Sequence, residues 1–278
     1  MFRKLFLHEL RTSWRVPALM ALAAVLLSVV MRIVLGVIES AHSIIPPSVS
    51  VVLGLFIMLY GIFMIASNVM VFFYMPVRFY RHSYSNAGYF FHTLPVTKSA
   101  FLAAHILSGG VWLLAVLAMD LVCIAISTAG EFVLTTIFRE LWRMLEEFAA
   151  MGLFSGSLGV ITTFIILSLL IAPFVFMTQC CCAISLGQRF RKHKVFGAVV
   201  WFYILSFLAG MASSLLFGFG LFPSIGFDDG FSTGLAIAST FFSRSATVSV
   251  IQFLLLVLEG ILFWVICVRR MKYKLNLE

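Results

Sequence analysis

The sequence predicts an all-α integral membrane protein of six transmembrane helices with both ends on the cytoplasmic side. Three observations carry that expectation. Of the 278 residues 62% are hydrophobic and only 11% are charged, and the mean hydropathy of +1.11 lies far from that of a soluble domain, in which about a quarter of residues are charged. The apolar residues fall into runs long enough to cross a hydrocarbon core, which takes roughly 20 residues per helix. Finally, the 19 Lys and Arg are unevenly placed. Only Arg139, Arg143 and Arg244 fall in the odd-numbered interhelical loops and Arg32 inside a span, while the rest gather at the two termini and the even-numbered loops, as the positive-inside rule requires of cytoplasmic segments.

Residues 1–15 read as a basic amphipathic helix. Phe2, Leu5, Phe6, Leu10 and Trp14 recur at three- and four-residue steps, with Arg3, Lys4, Arg11 and Arg15 on other faces, a pattern suited to the membrane interface and anionic headgroups. No small-residue cleavage site follows the first apolar run, so that run is expected to stay as a helix. The first two spans cover 16–38 and 49–75. The loop between them holds Glu39, His42 and a Pro46-Pro47 break but no Lys or Arg, and is expected outside.

Residues 76–98 form the basic and aromatic interruption around which the chain is organised. Pro76 is expected to stop the preceding helix, because proline lacks an N–H and clashes with the previous turn. Pro95 and Thr97 close the segment and cap the next helix. A short helix between the prolines would carry Arg78, Arg81 and His82 on one side, leave Phe79, Tyr80 and Tyr84 to headgroups or a protein partner, and stop at Gly88. That pattern suits docking.

The third span is expected at 99–129, followed by an outer amphipathic helix at 131–150, whose apolar side is Phe132, Phe138, Leu141, Leu145 and Phe148 and in which Arg139, Arg143 and Glu147 stand at four-residue steps. The fourth span, 153–185, opens with Gly152, Ser155, Gly156 and Gly159, and the fifth, 195–222, carries Ser206, Gly210, Ser214 and Gly218. Both stripes have the spacing that lets helices approach closely in lipid. Between these spans lies a basic loop of Arg189, Arg191, Lys192 and Lys194. Residues 223–244, with Asp228 and Asp229, are too polar for lipid and are expected to dip in against protein. The sixth span, 246–268, ends in Arg269, Arg270, Lys272 and Lys274.

Three ionisable residues fall inside spans: Arg32, Asp120 and Glu259. A charge at the centre of a membrane helix costs about 2.5 to 3.5 kcal/mol on translocon scales, so each should face protein or water. Arg32 and Asp120 sit at comparable depth and are expected to pair or to line one outward cavity. Glu259 has no evident partner and would be the coupling residue of a secondary transporter. Many of the 30 Phe are expected to face lipid. The five cysteines, Cys123, Cys180, Cys181, Cys182 and Cys267, lie in apolar runs and are expected to pack; their spacing suggests neither metal ligation nor disulfides. No G-x-x-x-x-G-K-[ST], H-E-x-x-H or G-x-S-x-G occurs, so neither catalysis, a bound cofactor nor a metal is expected on this chain. The basic tracts flank apolar spans and point to anionic lipid instead of nucleic acid.

In Phe79-Tyr80-Arg81, then Gly88-Tyr89, then Thr93-Leu94-Pro95-Val96, the segment resembles the first cytoplasmic loop of type-2 ABC transporter permeases. A second match is Ile184-Ser185-Leu186-Gly187-Gln188 followed by the basic run from Arg189 to Lys194. Asn86 and Ala87 stand where the family carries an acidic pair, and His105 where it carries a lysine. The resemblance implies the permease subunit of a bacterial plasma-membrane exporter, working with a second permease, identical or homologous, and two cytoplasmic ATPase subunits that hold the ATP and Mg. It implies that Arg78, Phe79, Tyr80, Arg81, His82, Tyr84, Gly88 and Tyr89 contact the ATPase, with Gln188, Arg189, Arg191, Lys192 and Lys194 as a second cytoplasmic contact. It also implies outward movement of an amphipathic substrate such as an antimicrobial peptide, drug or lipid. Two other classes fit the residues: a stand-alone secondary transporter or channel using Glu259, and a non-transporting membrane partner in a sensory or assembly complex.

Overall fold

A computed structural model describes residues 2–40, 47–84, 97–127, 139, 143, 157–190, 194–221 and 232–273. Gly88, Tyr89, Arg191, Lys192 and all of the expected outer helix except Arg139 and Arg143 lie outside the described residues. Among the described residues every regular element is helical: α1 (Phe2–Ser13), α2 (Arg15–Ser40), α3 (Pro47–Tyr84), α4 (Lys98–Ser127), α5 (Ser157–Gly187), α6 (Lys194–Leu221) and α7 (Ser232–Tyr273). Six of them, α2 to α7, are long and apolar enough to cross a membrane.

α1 ends where it does because Pro17 has no N–H to offer the carbonyl of Ser13. Ser13 turns its hydroxyl back to the carbonyl of Glu9 at 2.7 Å, and α2 restarts with Ala18 N–H on Trp14 O at 2.9 Å. The inward stripe of α1 is Glu9 and Ser13, both buried, while Trp14 is exposed. This helix therefore packs against α4 through a polar stripe, where a purely apolar face in the acyl boundary was expected.

Pro76 does not stop the second span. α3 runs on for 38 residues with Pro76 inside it, because a missing hydrogen bond is tolerated in a membrane helix whose far side is anchored by neighbours. The anchors are Phe79, fully buried, and Tyr84, with Val71 and Met75 a turn or more before them. Phe79 and Tyr84 are thus core residues, not lipid- or partner-facing ones. At the other correction, residues 232–245 are already helical and continuous with the sixth span.

The core lies at one end of the bundle. There the end of α3 (Met75, Phe79, Tyr84), the start of α4 (Phe101, Leu102, Ile106), the end of α5 (Met177, Cys181, Cys182, Ile184) and the end of α7 (Phe263, Cys267, Met271) share one apolar cluster. All five cysteines are free and buried, and Cys267 Sγ points to the carbonyl of Cys181 at 3.7 Å. Away from this end, α2, α3, α6 and α7 leave rows of Leu, Ile, Val and Phe exposed, the surface a lipid solvent would cover.

Among the described glycines of the small-residue stripes, neither Gly159 nor Gly210 stands at a close helix approach, although Ser206 of the second stripe accepts from Gln179 across the helices at 2.7 Å. A Cβ on Gly159 or Gly210 would meet nothing within 4 Å. The close approaches are at Gly109 and Gly110 of α4, against Met177 and Phe174, at Gly260 of α7, against Val175, and at Gly187 and Gly197, where α5 turns into α6. Gly210 instead lines a cavity of 540 Å³ between α5, α6 and α7, and so leaves space where close contact was expected.

Candidate functional site

The described polar groups converge where α1, the end of α3 and the start of α4 meet. Helical spacing puts Arg78 and His82 on one face of α3, one turn apart, and Phe79 beside them drives that face into the bundle. The carboxylate of Glu9 comes from α1 and is only 1% exposed. Arg78 donates from Nε at 3.3 Å and from Nη2 at 3.1 Å, both to Oε2 of Glu9. The other oxygen, Oε1, has His82 Nδ1 at 3.3 Å and His105 Nε2 at 3.6 Å, yet neither contact has hydrogen-bond geometry and Oε1 is buried without a hydrogen-bond partner.

The imidazole of His105 is oriented from behind. Its Nδ1 lies 3.3 Å from the carbonyl of Phe101; a carbonyl only accepts, so that nitrogen carries the proton and the neutral ring presents a bare lone pair at Nε2. His82 Nδ1 stands 3.3 Å from that Nε2. The rings of Phe79 and Phe101 wall the site, with centroids 5.5 and 4.6 Å from that of His105. Burial acts to raise the pKa of Glu9. His82, the charge that His105 takes on in acid and the guanidinium of Arg78 overcome it and hold the carboxyl at about 2, so Glu9 is an anion at neutral pH. Among the described residues Glu9, His82 and His105 form the one set of three His, Cys, Asp or Glu side chains whose ligand atoms lie within 4.8 Å of one another.

The residues expected to touch an ATPase are thereby divided. Arg78, Phe79, His82 and Tyr84 face the interior, Tyr80 is half-buried, and Arg81 is exposed. In the second segment Gln188 is buried, Arg189 is exposed and Lys194 is half-buried. The two segments lie at the same end of the bundle: Phe79 and Tyr84 share the apolar cluster with Ile184 and Leu186. The C-terminal end of α7 joins them there, since Lys98 Nζ donates to the carbonyl of Met271 at 2.9 Å.

The three intramembrane charges do not form one site. Asp120 accepts from Asn68 Nδ2 at 2.8 Å, not from Arg32, and Nη1 of Arg32 is buried without a hydrogen-bond partner. Asn68 on α3 is the hydrogen-bond partner of that carboxylate in place of the expected Arg32. Glu259 lines the 540 Å³ cavity together with Ser168, Ser213, Ser249 and Gln252.

Sequence reasoning missed Glu9 and the role of His105. One signal was available: Glu9 is the lone acid among the first fifteen residues and stands one turn after Leu5, which packs against the core. His105 carried no local signal, because its partners lie on two other helices. No family model, no curated protein and no solved structure matches this chain.

Proposed function

We propose that this chain is the membrane-spanning subunit of an ATP-driven exporter of the type-2 ABC kind, moved by separate ATPase subunits and paired with a second permease. The observation that supports this reading best is the end of α3. The Phe79-Tyr80-Arg81 motif that resembles the permease loop sits on a helix clamped to α1 by Arg78 and Glu9 and packed into the core by Phe79. Arg81 is left exposed beside that clamp. A rigid end with an exposed cation can receive a push from a partner and pass it along α3. In this reading Arg81 and Arg189 touch the ATPase, and Arg78, Phe79, His82 and Tyr84 hold the contact stiff. An amphipathic peptide, drug or lipid is the cargo class that the resemblance suggests, and the bacterial plasma membrane its setting.

Purification of the full chain from its native membrane in mild detergent tests the reading. A stoichiometric ATPase with Mg-dependent ATP hydrolysis is the expected companion. Its absence, together with transport driven by an ion gradient, overturns the proposal.

The cavity at Glu259 favours a second reading, a secondary transporter in which that carboxyl couples transport to protons. A carboxyl beside Ser168, Ser213, Ser249 and Gln252 is chemically equipped for this. Glu259→Gln should then abolish gradient-driven uptake or efflux, whereas an ATP-driven exporter should keep its ATP dependence.

A further inference from the structure

We infer that Glu9, His82 and His105 form a binding site for one divalent transition-metal ion of the zinc type. The ion would cross-link α1, α3 and α4. The inference stands independently of the transport reading.

The geometry is that of three ligands on one face of a tetrahedron. Glu9 Oε1, His82 Nδ1 and His105 Nε2 form a triangle with edges of 3.3, 3.3 and 3.6 Å. An ion about 2.0 to 2.1 Å from each of three tetrahedral ligands sets them about 3.4 Å apart, which matches all three edges within 0.2 Å. Two imidazoles and a carboxylate are a zinc ligand set that leaves a fourth position for water or another donor.

A second observation is independent of those distances. Oε1 is a carboxylate oxygen, nearly sealed from solvent, that no hydrogen bond satisfies, and leaving a buried charged acceptor unmatched is costly. Only one proton is available for the facing atoms. His105 has committed its own to Phe101 O, and the Nδ1 proton of His82 goes to the bare Nε2 of His105 at 3.3 Å, which leaves Oε1, also 3.3 Å from that nitrogen, without a hydrogen bond. A cation in the triangle satisfies all three lone pairs at once.

The surroundings are those of a supported metal site. The Nδ1–H of His105 held by a backbone carbonyl fixes the tautomer that exposes Nε2, and Arg78 holds Oε2 so that Oε1 turns inward, as outer partners do for ligating side chains. Arg78 is the one opposing feature, a fixed positive charge on the far oxygen, and it favours a bound hydroxide or anionic donor in the fourth position. Entry is from the His82 side, whose side chain is 23% exposed.

The test uses the full chain in lipid nanodiscs, stripped with a chelator and dialysed against Zn²⁺ alone. One zinc per chain and a raised thermal midpoint are expected for the wild type. His82→Gln, at the least buried ligand, should keep the fold, lose the thermal shift and weaken zinc binding by more than about 100-fold, the upper range for loss of a mere supporting partner. Glu9→Gln, although it also costs stability by stranding the Arg78 charge, should likewise lose the zinc-induced thermal shift. Substituting Co²⁺ should give the visible bands of a tetrahedral ion without thiolate charge transfer, which separates this site from the buried cysteines. Wild-type protein that takes up no zinc, or His82→Gln that takes it up as tightly as wild type, overturns the inference.

Discussion

Arg78 gives two hydrogen bonds to the same oxygen of Glu9, a residue 69 positions earlier in the chain, and so fastens the N-terminal helix to the end of α3. The pair is nearly dry, with side-chain exposures of 11% for Arg78 and 1% for Glu9. Removing one partner of such a pair strands a charge in the interior, at about 3 to 5 kcal/mol.

Arg78→Met should therefore lower stability by about 3 kcal/mol, and Glu9→Gln with Arg78→Met together should lose less than the sum of the two single changes. Thermal unfolding in detergent with chelator present reads both. The acid limb has a definite sign. Because the folded state holds the Glu9 carboxyl at about 2 against an ordinary 4.5, its contribution is whole above pH 4.5 and is lost as pH falls towards 2. The stability gap between wild type and Glu9→Gln should close over that interval; a constant gap would place the stabilisation elsewhere.

Arg81 is the contrasting case. It is exposed, so Arg81→Glu should move stability by no more than about 0.5 kcal/mol. In the exporter reading it should nonetheless abolish stimulated ATP hydrolysis and transport. An unchanged transport rate after this charge reversal counts against Arg81 as the contact.

Glycine substitutions should sort by what stands opposite. A Cβ at Gly187 runs into the backbone nitrogen of Ala198, which cannot step aside, whereas one at Gly109 meets the flexible end of Met177 and one at Gly210 meets nothing. Gly187→Ala should destabilise by about 1 to 3 kcal/mol, and Gly109→Ala by less. Gly210→Ala should be neutral or slightly stabilising, because alanine favours the helix by up to about 1 kcal/mol. Chemical-denaturation midpoints in one detergent rank the three, and an equal loss at Gly187 and Gly210 would refute the close-contact assignment.

Asn68→Leu should leave the Asp120 carboxylate without its 2.8 Å donor and lower stability by about 1 to 3 kcal/mol. Arg32→Met should not weaken Asp120 in the same way, because no contact joins them. A non-additive double mutant of Arg32 and Asp120 would revive their coupling.

The spans were legible because the bilayer imposes a length and a composition on each helix, and both are written locally in the chain. The helix ends were less so. Pro76 reads as a stop from its own chemistry, and only Phe79 packing against Phe101 and His105 of another helix explains why the helix continues. The small residues misled for a related reason: Gly210 has the spacing for close contact, but the facing helices at that level part around a cavity. The polar junction was the least readable. Its residues lie at positions 9, 78, 82 and 105; helical spacing joins Arg78 to His82, but no local spacing ties that pair to Glu9 or His105. Glu9 alone left a trace, as one acid in a basic helix.

Because Pro76 leaves it unbroken, α3 is one rod of 38 residues, about 57 Å long at 1.5 Å per residue, against a hydrocarbon slab of about 30 Å. A rod that long magnifies rotation: a swing of about 5° around its midpoint displaces either tip by about 2.5 Å. The Glu9 fastening sits near one tip, so it lies where the travel is largest. In the exporter reading, whatever loosens or tightens that knot would set how far the opposite rim of the membrane moves.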